Sequence, residues 1–260
     1  MSERAAALRP FPDSAAIGAD GVTLDGVALT ALAETHGTPL YVYDAATVRT
    51  RATAVATAIA GHGRAAFALK ANSALGLLRL IAEAGLGADC ASAGEIAAAR
   101  RAGIADDRIV VHGNAKSEAD LRAALGCGLV VLDGRDEAER LAALCRAAGV
   151  EQDVLVRIAP GIEVDTHRHI ATGHHGSKFG VTPAEGAALL RELPEGLRGR
   201  GLHVHLGSQI LDTAPLIDAA RWLPAFAKAE GVALDVLDVG GGLGIRYLPD
   251  DPSPDPGEHV

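Results

Sequence analysis

A regular rhythm of strands and helices narrows the fold more than any other feature of this chain. Short apolar runs recur, each followed by a stretch with helical patterning. The runs are FALK (67–70), GADCAS (87–92), RIVVHG (108–113), GLVVLD (128–133), DVLVRIA (153–159), GRGLHVHLGS (199–208) and LDVLDVGGG (234–242). The first four begin about 20 residues apart, the length of one strand plus one helix. Between them GLLRLIAEA (76–84), SAGEIAAARRA (92–102) and SEADLRAALG (117–126) place apolar residues at helical spacing. Ser92 with Glu95 matches a capping box, and Ser117 an N-cap. AATVRTRATAVATAIA (45–60) predicts a helix ahead of the first of these strands. The first 40 residues show no helix pattern and are expected to form strands outside the rhythm.

Strand–helix alternation suits an open doubly wound sheet or a (β/α)8 barrel of the TIM type. The strand ends decide between them. Lys70, Asp89, His112, Asp133, Arg157, His205 and Asp238 each close a predicted strand. A barrel brings all such ends to one site, whereas an open sheet uses only those at its switch point. The glycine cluster GGGLG (240–244) also comes late, where barrels often bind phosphate, rather than after the first strand. Only seven strands are visible. The expected fold is therefore α/β, a (β/α)8 barrel whose eighth strand either escapes the pattern or is missing because the chain is a fragment cut short after the seventh.

Composition sets the remaining limits. With 260 residues, 48% of them hydrophobic, the chain can build a substantial core. A formal net charge of -9 argues against a nucleic-acid partner. No apolar run is long enough to span a bilayer, and MSERAAALRP lacks the core of a signal peptide. Cys90, Cys127 and Cys145 have no metal-type spacing and are read as reduced thiols of a cytoplasmic protein. Cys127 and Cys145 are expected in packing positions.

Four stretches carry chemistry. Lys70 ends an apolar strand. In a semi-buried site its amine would lose its charge and attack an aldehyde, although a strand-end lysine can also simply reach for solvent. The glycines of GGGLG let backbone N–H groups turn toward an anion. In HVHLGSQ (203–209), His203 and His205 share one strand face, so one of them can lie at the mouth and stack on an aromatic cofactor, with Ser208 placed to bind phosphate. A packed, hydrogen-bonded core histidine is the competing reading. HRHIATGHHGSKFG (167–180) is rich in histidine but sits in a predicted loop with nothing rigid to fix ligand geometry. No metal site is expected there. A loop over the mouth is expected instead, with Lys178 and Phe179 at its anchored end.

FALKAN, ADCASAGE, HIATGHHGSKFG, GLHVHLGSQI and DVGGGLGIRY, in this order and spacing, resemble the PLP-dependent diaminopimelate decarboxylases of the alanine-racemase-like barrel group. The likeness runs from about residue 20 to about residue 250. It implies pyridoxal 5'-phosphate as cofactor, with Lys70 holding it covalently and His205 stacking on its ring. Ser208, Gly240, Gly241 and Gly242 would hold the phosphate, Asp89 would lie near the lysine and cofactor, and Arg157 would face the ring. The implied reaction is decarboxylation of meso-2,6-diaminopimelate to L-lysine and CO2 in a homodimer. HLGSQI and the SKFG loop favour this branch over the ornithine decarboxylases.

The family continues with a Glu-Pro-Gly-Arg motif on an eighth strand and a C-terminal β domain, neither of which occurs in these residues. The chain is thus expected to hold the N-terminal portion, with 1–40 contributing strands to that β domain and 41–260 forming the PLP-binding barrel domain. Impaired activity is expected of this portion alone. The alternatives are a related barrel decarboxylase for arginine or carboxynorspermidine, and a non-catalytic PLP-binding homeostasis protein.

Overall fold

A computed structural model describes residues 11–18, 21–161, 178–247, 251–252 and 254. Its main element is a parallel seven-stranded sheet. The strands are β4 (Ala66–Ala68), β5 (Gly87–Cys90), β6 (Ile109–Val111), β7 (Leu129–Leu132), β8 (Gln152–Arg157), β9 (Leu197–His203) and β10 (Val236–Asp238), and they neighbour one another in chain order. That order curls the sheet into a barrel missing its closing strand; among the described residues nothing joins β4 to β10. The expected rhythm and all seven strands are present.

The central strands read IVV, LVVL and VLVR because they are covered on both faces. Helices α3 (Leu75–Glu83), α4 (Ala93–Ala102), α5 (Glu118–Ala124) and α6 (Arg135–Ala148) lie between them in sequence. Each presents at least one fully buried residue to the sheet: Leu78, Ile96, Leu121 and Leu141. α7 (Pro183–Arg191) and α8 (Ala214–Ala229) continue the pattern after β8 and β9. Some helix starts are fixed by side chains. Ser117 and Asp120 exchange hydrogen bonds in a full capping box, as do Thr182 and Glu185. At α4 the box is displaced: Ser92 accepts from the Glu95 N–H, but the Glu95 carboxylate accepts from Ala91 rather than from Ser92. All three cysteines are free and buried in the core.

The N-terminal region departs from expectation. β1 (Ala15–Gly18), β2 (Gly21–Leu24) and β3 (Val27–Ala28) do form a separate antiparallel sheet, turned at Asp25–Gly26 with both residues at positive φ. However, Leu29–His36 is a helix, α1, followed by α2 (Ala45–Ile59). The pattern was invisible because α1 buries no residue and has no side-chain cap at Ala28. No helix among the described residues is long and apolar enough to cross a membrane.

Candidate active site

Parallel register gathers the polar strand ends at one rim. Arg157, His203 and Asp238 pair across β8, β9 and β10 on a single rung, so their side chains point the same way. On the other side of the mouth Asp89 pairs with Ala68, and the Leu69 N–H donates to the Asp89 carbonyl (2.9 Å).

Lys70 follows immediately. The burial expected for it is not found: the strand ends at Ala68 and Leu69 is buried, but Lys70 itself is exposed. The chain turns there, with the Ala71 N–H donating to the Ala68 carbonyl (3.1 Å), which carries the amine out of the apolar layer.

His203 and His205 divide as their spacing allows. His203 ends β9 and is buried, and burial holds its imidazole neutral, its pKa well below the ordinary value. His205 is half-buried beyond the strand. Burial first, then the charges of Arg157 and Lys70, lower its pKa to about 4. Its Nδ1 accepts the Gly241 N–H at 3.2 Å, so the neutral ring carries its proton on Nε2.

The glycine run is required by space as well as by φ. A Cβ on Gly240 would sit 2.4 Å from the Val204 carbonyl oxygen, and one on Gly242 2.0 Å from that of Gly207. Both residues have positive φ. Gly241 between them faces open space. Exposed Ser208 belongs to the adjoining loop, which Gln209 clasps to the glycine segment: its amide donates to the Ile245 carbonyl (2.5 Å) and accepts the Ile245 N–H (3.2 Å). Gln209 itself adopts φ 56°. Nothing in the sequence singled it out.

The rim also holds a cluster that motif reasoning left among the strand ends. His112 follows β6. Its Nδ1 lies 2.6 Å from Asp89 Oδ1 and its Nε2 3.6 Å from Asp238 Oδ2. Burial opposes the charged imidazole, but the nearby carboxylates of Asp238 and Asp89 outweigh it and raise the pKa to about 9. His203 packs against it, ring centroids 4.6 Å apart. Asp238 is held low: burial would raise it, but His203, His112 and the Gly240 N–H more than offset that. His112, His203 and Asp238 bring their ligating atoms within 4.8 Å of one another. The same three groups form an ion-pair cluster at the rim, with His112 between Asp89 and Asp238.

Arg157 is buried, and burial lowers its pKa against the pull of Asp133, Asp89 and Asp238. Its guanidinium carbon lies 4.4 Å from the centre of the Phe179 ring. The Asn114 amide donates to the Lys178 carbonyl (2.7 Å) and to Asp133 (2.9 Å). The expected anchored end at Lys178 and Phe179 is therefore fastened to the rim. His167, His169, His174 and His175 of the histidine-rich loop lie outside the described residues.

An exposed amine, a glycine turn open at Gly241, a serine loop and a neutral imidazole at one barrel mouth fit a phosphorylated aldehyde as cofactor. The chain belongs to the pyridoxal-dependent decarboxylases: the description "pyridoxal-dependent decarboxylase, pyridoxal binding domain" matches residues 45–258. The cofactor is pyridoxal 5'-phosphate (PLP). Within that family the chain is 43% identical to diaminopimelate decarboxylase of Mycobacterium leprae over 88% of its length and 52% of the relative's. It is 41% identical to that of Bacillus subtilis, over 88% and 55%. The crystal structure of diaminopimelate decarboxylase from Helicobacter pylori complexed with L-lysine superposes with a TM-score of 0.83 at 33% identity, over 89% of this chain and 61% of that one. The chain thus spans about half the length of the curated relatives it matches.

Proposed function

We propose that the full-length protein decarboxylates meso-2,6-diaminopimelate, releasing CO2 and L-lysine. The carrying observation is the gathering of Lys70, His205 and the 240–242 turn at one mouth, in a chain over 40% identical to diaminopimelate decarboxylases. The L-lysine in the Helicobacter pylori relative supports the product class. Bound PLP supplies the sink for the electrons left behind when the carboxylate departs.

The chain's own residues divide the remaining work. Lys70 holds the cofactor covalently through its exposed amine. Ser208, Gly240, Gly241 and Gly242 hold its phosphate. His205 is assigned to the cofactor ring, and its neutrality leaves the aromatic contact unburdened by a second cation. Arg157 is a fixed cation at the rim, suited to a carboxylate-bearing substrate. Asp89 sets the negative side of the same mouth, anchored by His112.

In domain terms, 1–40 would join a β domain supplied by the rest of the protein, and 41–260 is the PLP-binding barrel unit. The solvent exposure of Leu40, Tyr41 and Tyr43 supports a covering partner for that end. A cytoplasmic homodimer completes the reading.

The test is CO2 release by the PLP-loaded full-length protein from meso-diaminopimelate, L-arginine and carboxynorspermidine, with the 260-residue chain beside it. Turnover confined to meso-diaminopimelate is expected, with little from the shorter chain. Preference for either other substrate, or PLP binding without any turnover, would replace this reading with one of its alternatives.

A further inference from the structure

The mouth contains a charged bridge to which the roles above assign no more than an anchor. His112 joins two strands that are not neighbours, since β7, β8 and β9 stand between β6 and β10 in the sheet. One ring nitrogen meets Asp89 at 2.6 Å and the other points to Asp238 at 3.6 Å. Beyond Asp238 the connection continues, because its Oδ1 accepts the Gly240 N–H at 2.8 Å. Beyond Asp89 it continues as well, because the Asp89 carbonyl accepts from Leu69, the residue before Lys70. A chain of hydrogen bonds with one ion pair, between His112 and Asp238, therefore runs from the lysine strand to the glycine turn.

We propose that His112 is a positioning residue of the cofactor site: bridging Asp89 and Asp238, it fixes the 240–242 turn relative to the strand that ends in Lys70. The inference rests on the PLP reading above. Its physics is simple. Two carboxylates approach the same half-buried spot and would repel each other. A neutral imidazole donates one N–H and satisfies one of them; an imidazolium donates to Asp89 and attracts Asp238 across 3.6 Å, so it holds both. The groups that tune it come from every strand around the mouth: Asp89 from β5, Asp133 after β7, Arg157 from β8, His203 and His205 from and after β9, Asp238 from β10, and Lys70 after β4. Deprotonating His112 leaves the turn tied by one end only, so phosphate affinity falls on the alkaline side.

The experiment uses the full-length protein. His112 is titrated by its ring C–H resonance, assigned by its loss in His112→Gln, and affinities for PLP and for pyridoxal are measured by absorbance. The imidazole should stay protonated to above about pH 8. His112→Gln should weaken PLP binding about tenfold and pyridoxal binding less than about twofold. It should also abolish the alkaline loss of PLP affinity, while kcat at saturating PLP changes less. If His112→Gln does not fold, Asp238→Asn tests the same bridge, by a drop in the His112 titration and in PLP affinity. A His112 that titrates near 6.5 in the wild type overturns the bridge. So does a folded His112→Gln with unchanged PLP affinity. A wild-type protein that binds no PLP overturns the cofactor reading, and this inference with it.

Discussion

The ammonium of Lys116 lies 2.5 Å from Glu137 Oε1, and both side chains are buried. The same nitrogen donates to the Gly113 and Val131 carbonyls at 2.7 Å each, so all three of its N–H groups are used. The pair pins the loop after β6 to β7 and to the first turn of α6. Burial pushes the Glu137 carboxyl up, and Lys116 opposes that. Lys116→Met should therefore strand a buried carboxylate and cost about 3–5 kcal/mol in urea unfolding. The double variant Lys116→Met, Glu137→Leu should recover most of that loss, because no unpaired charge remains.

The saturation of Lys116 also bears on which lysine reacts. Its nitrogen is buried and held by three acceptors, while Lys178 rests 4.9 Å from the Phe179 ring centre. Lys70 is exposed at the mouth. Borohydride reduction of the PLP-loaded protein followed by peptide mapping should put the pyridoxyl group on Lys70. Label on Lys116 or Lys178 would overturn the assignment.

Stability should peak near pH 6.5 and fall on both sides. His112 has its folded pKa raised to about 9, so its contribution is complete below 6.5 and lost as pH rises through 9. The shift corresponds to about 3 kcal/mol. His205, lowered to about 4, and His203, lower still, act in the opposite sense: the unfolded chain takes up their protons first as pH falls below 6.5. Asp238 adds to the acid loss, since its contribution is present above its unfolded value of 3.8 and disappears as pH falls through its depressed folded pKa. Melting temperature across pH 2–10 reads this out, and His112→Gln should flatten the decline between pH 6.5 and 9 alone.

Two glycines of the turn should respond very differently to one methyl group. Gly242→Ala places a Cβ 2.0 Å from a carbonyl oxygen at φ 102°, and a cost of about 2 kcal/mol or more is expected. Gly241→Ala meets nothing within 4 Å and should change melting temperature little. Equal losses for the two would show that the turn is not held as described.

The neighbouring histidines should separate in the same way. His205→Ala is expected to leave the fold intact, since the ring is only half-buried, and to weaken PLP binding and slow turnover. His203→Ala empties a buried site and should act through stability, by about 2–4 kcal/mol. If His203→Ala proves the more damaging to kcat at equal stability, the two roles are reversed.

The fold was legible where local pattern and tertiary demand agree. Runs such as LVVL carry their own evidence of being covered twice, and the Ser117 cap needs only its own helix. α1 was not legible, because a helix that buries nothing leaves no periodic trace. The exposure of Lys70 escaped for a related reason: an apolar run announces a strand but not the residue at which the chain turns out of it. Candidate site residues that sit on strand ends could be found from their positions. His112 and Asp238 were visible there too, but their partnership was not, because only the curl of the sheet brings β6 and β10 together. Gln209 lay beyond reach, since its clasp on Ile245 depends on a backbone conformation that no sequence signal marks.

That curl has a consequence for the order of events in the cell. Lys70 leaves the ribosome about 170 residues ahead of the glycine turn. The contact between His112 and Asp238 closes a loop of about 126 residues, the kind of long-range closure that folds slowly. A nascent chain therefore displays its amine for much of translation with no pocket behind it. Aldehydes encountered in that interval meet an ordinary surface lysine, and selective capture of the cofactor must wait until β10 has docked.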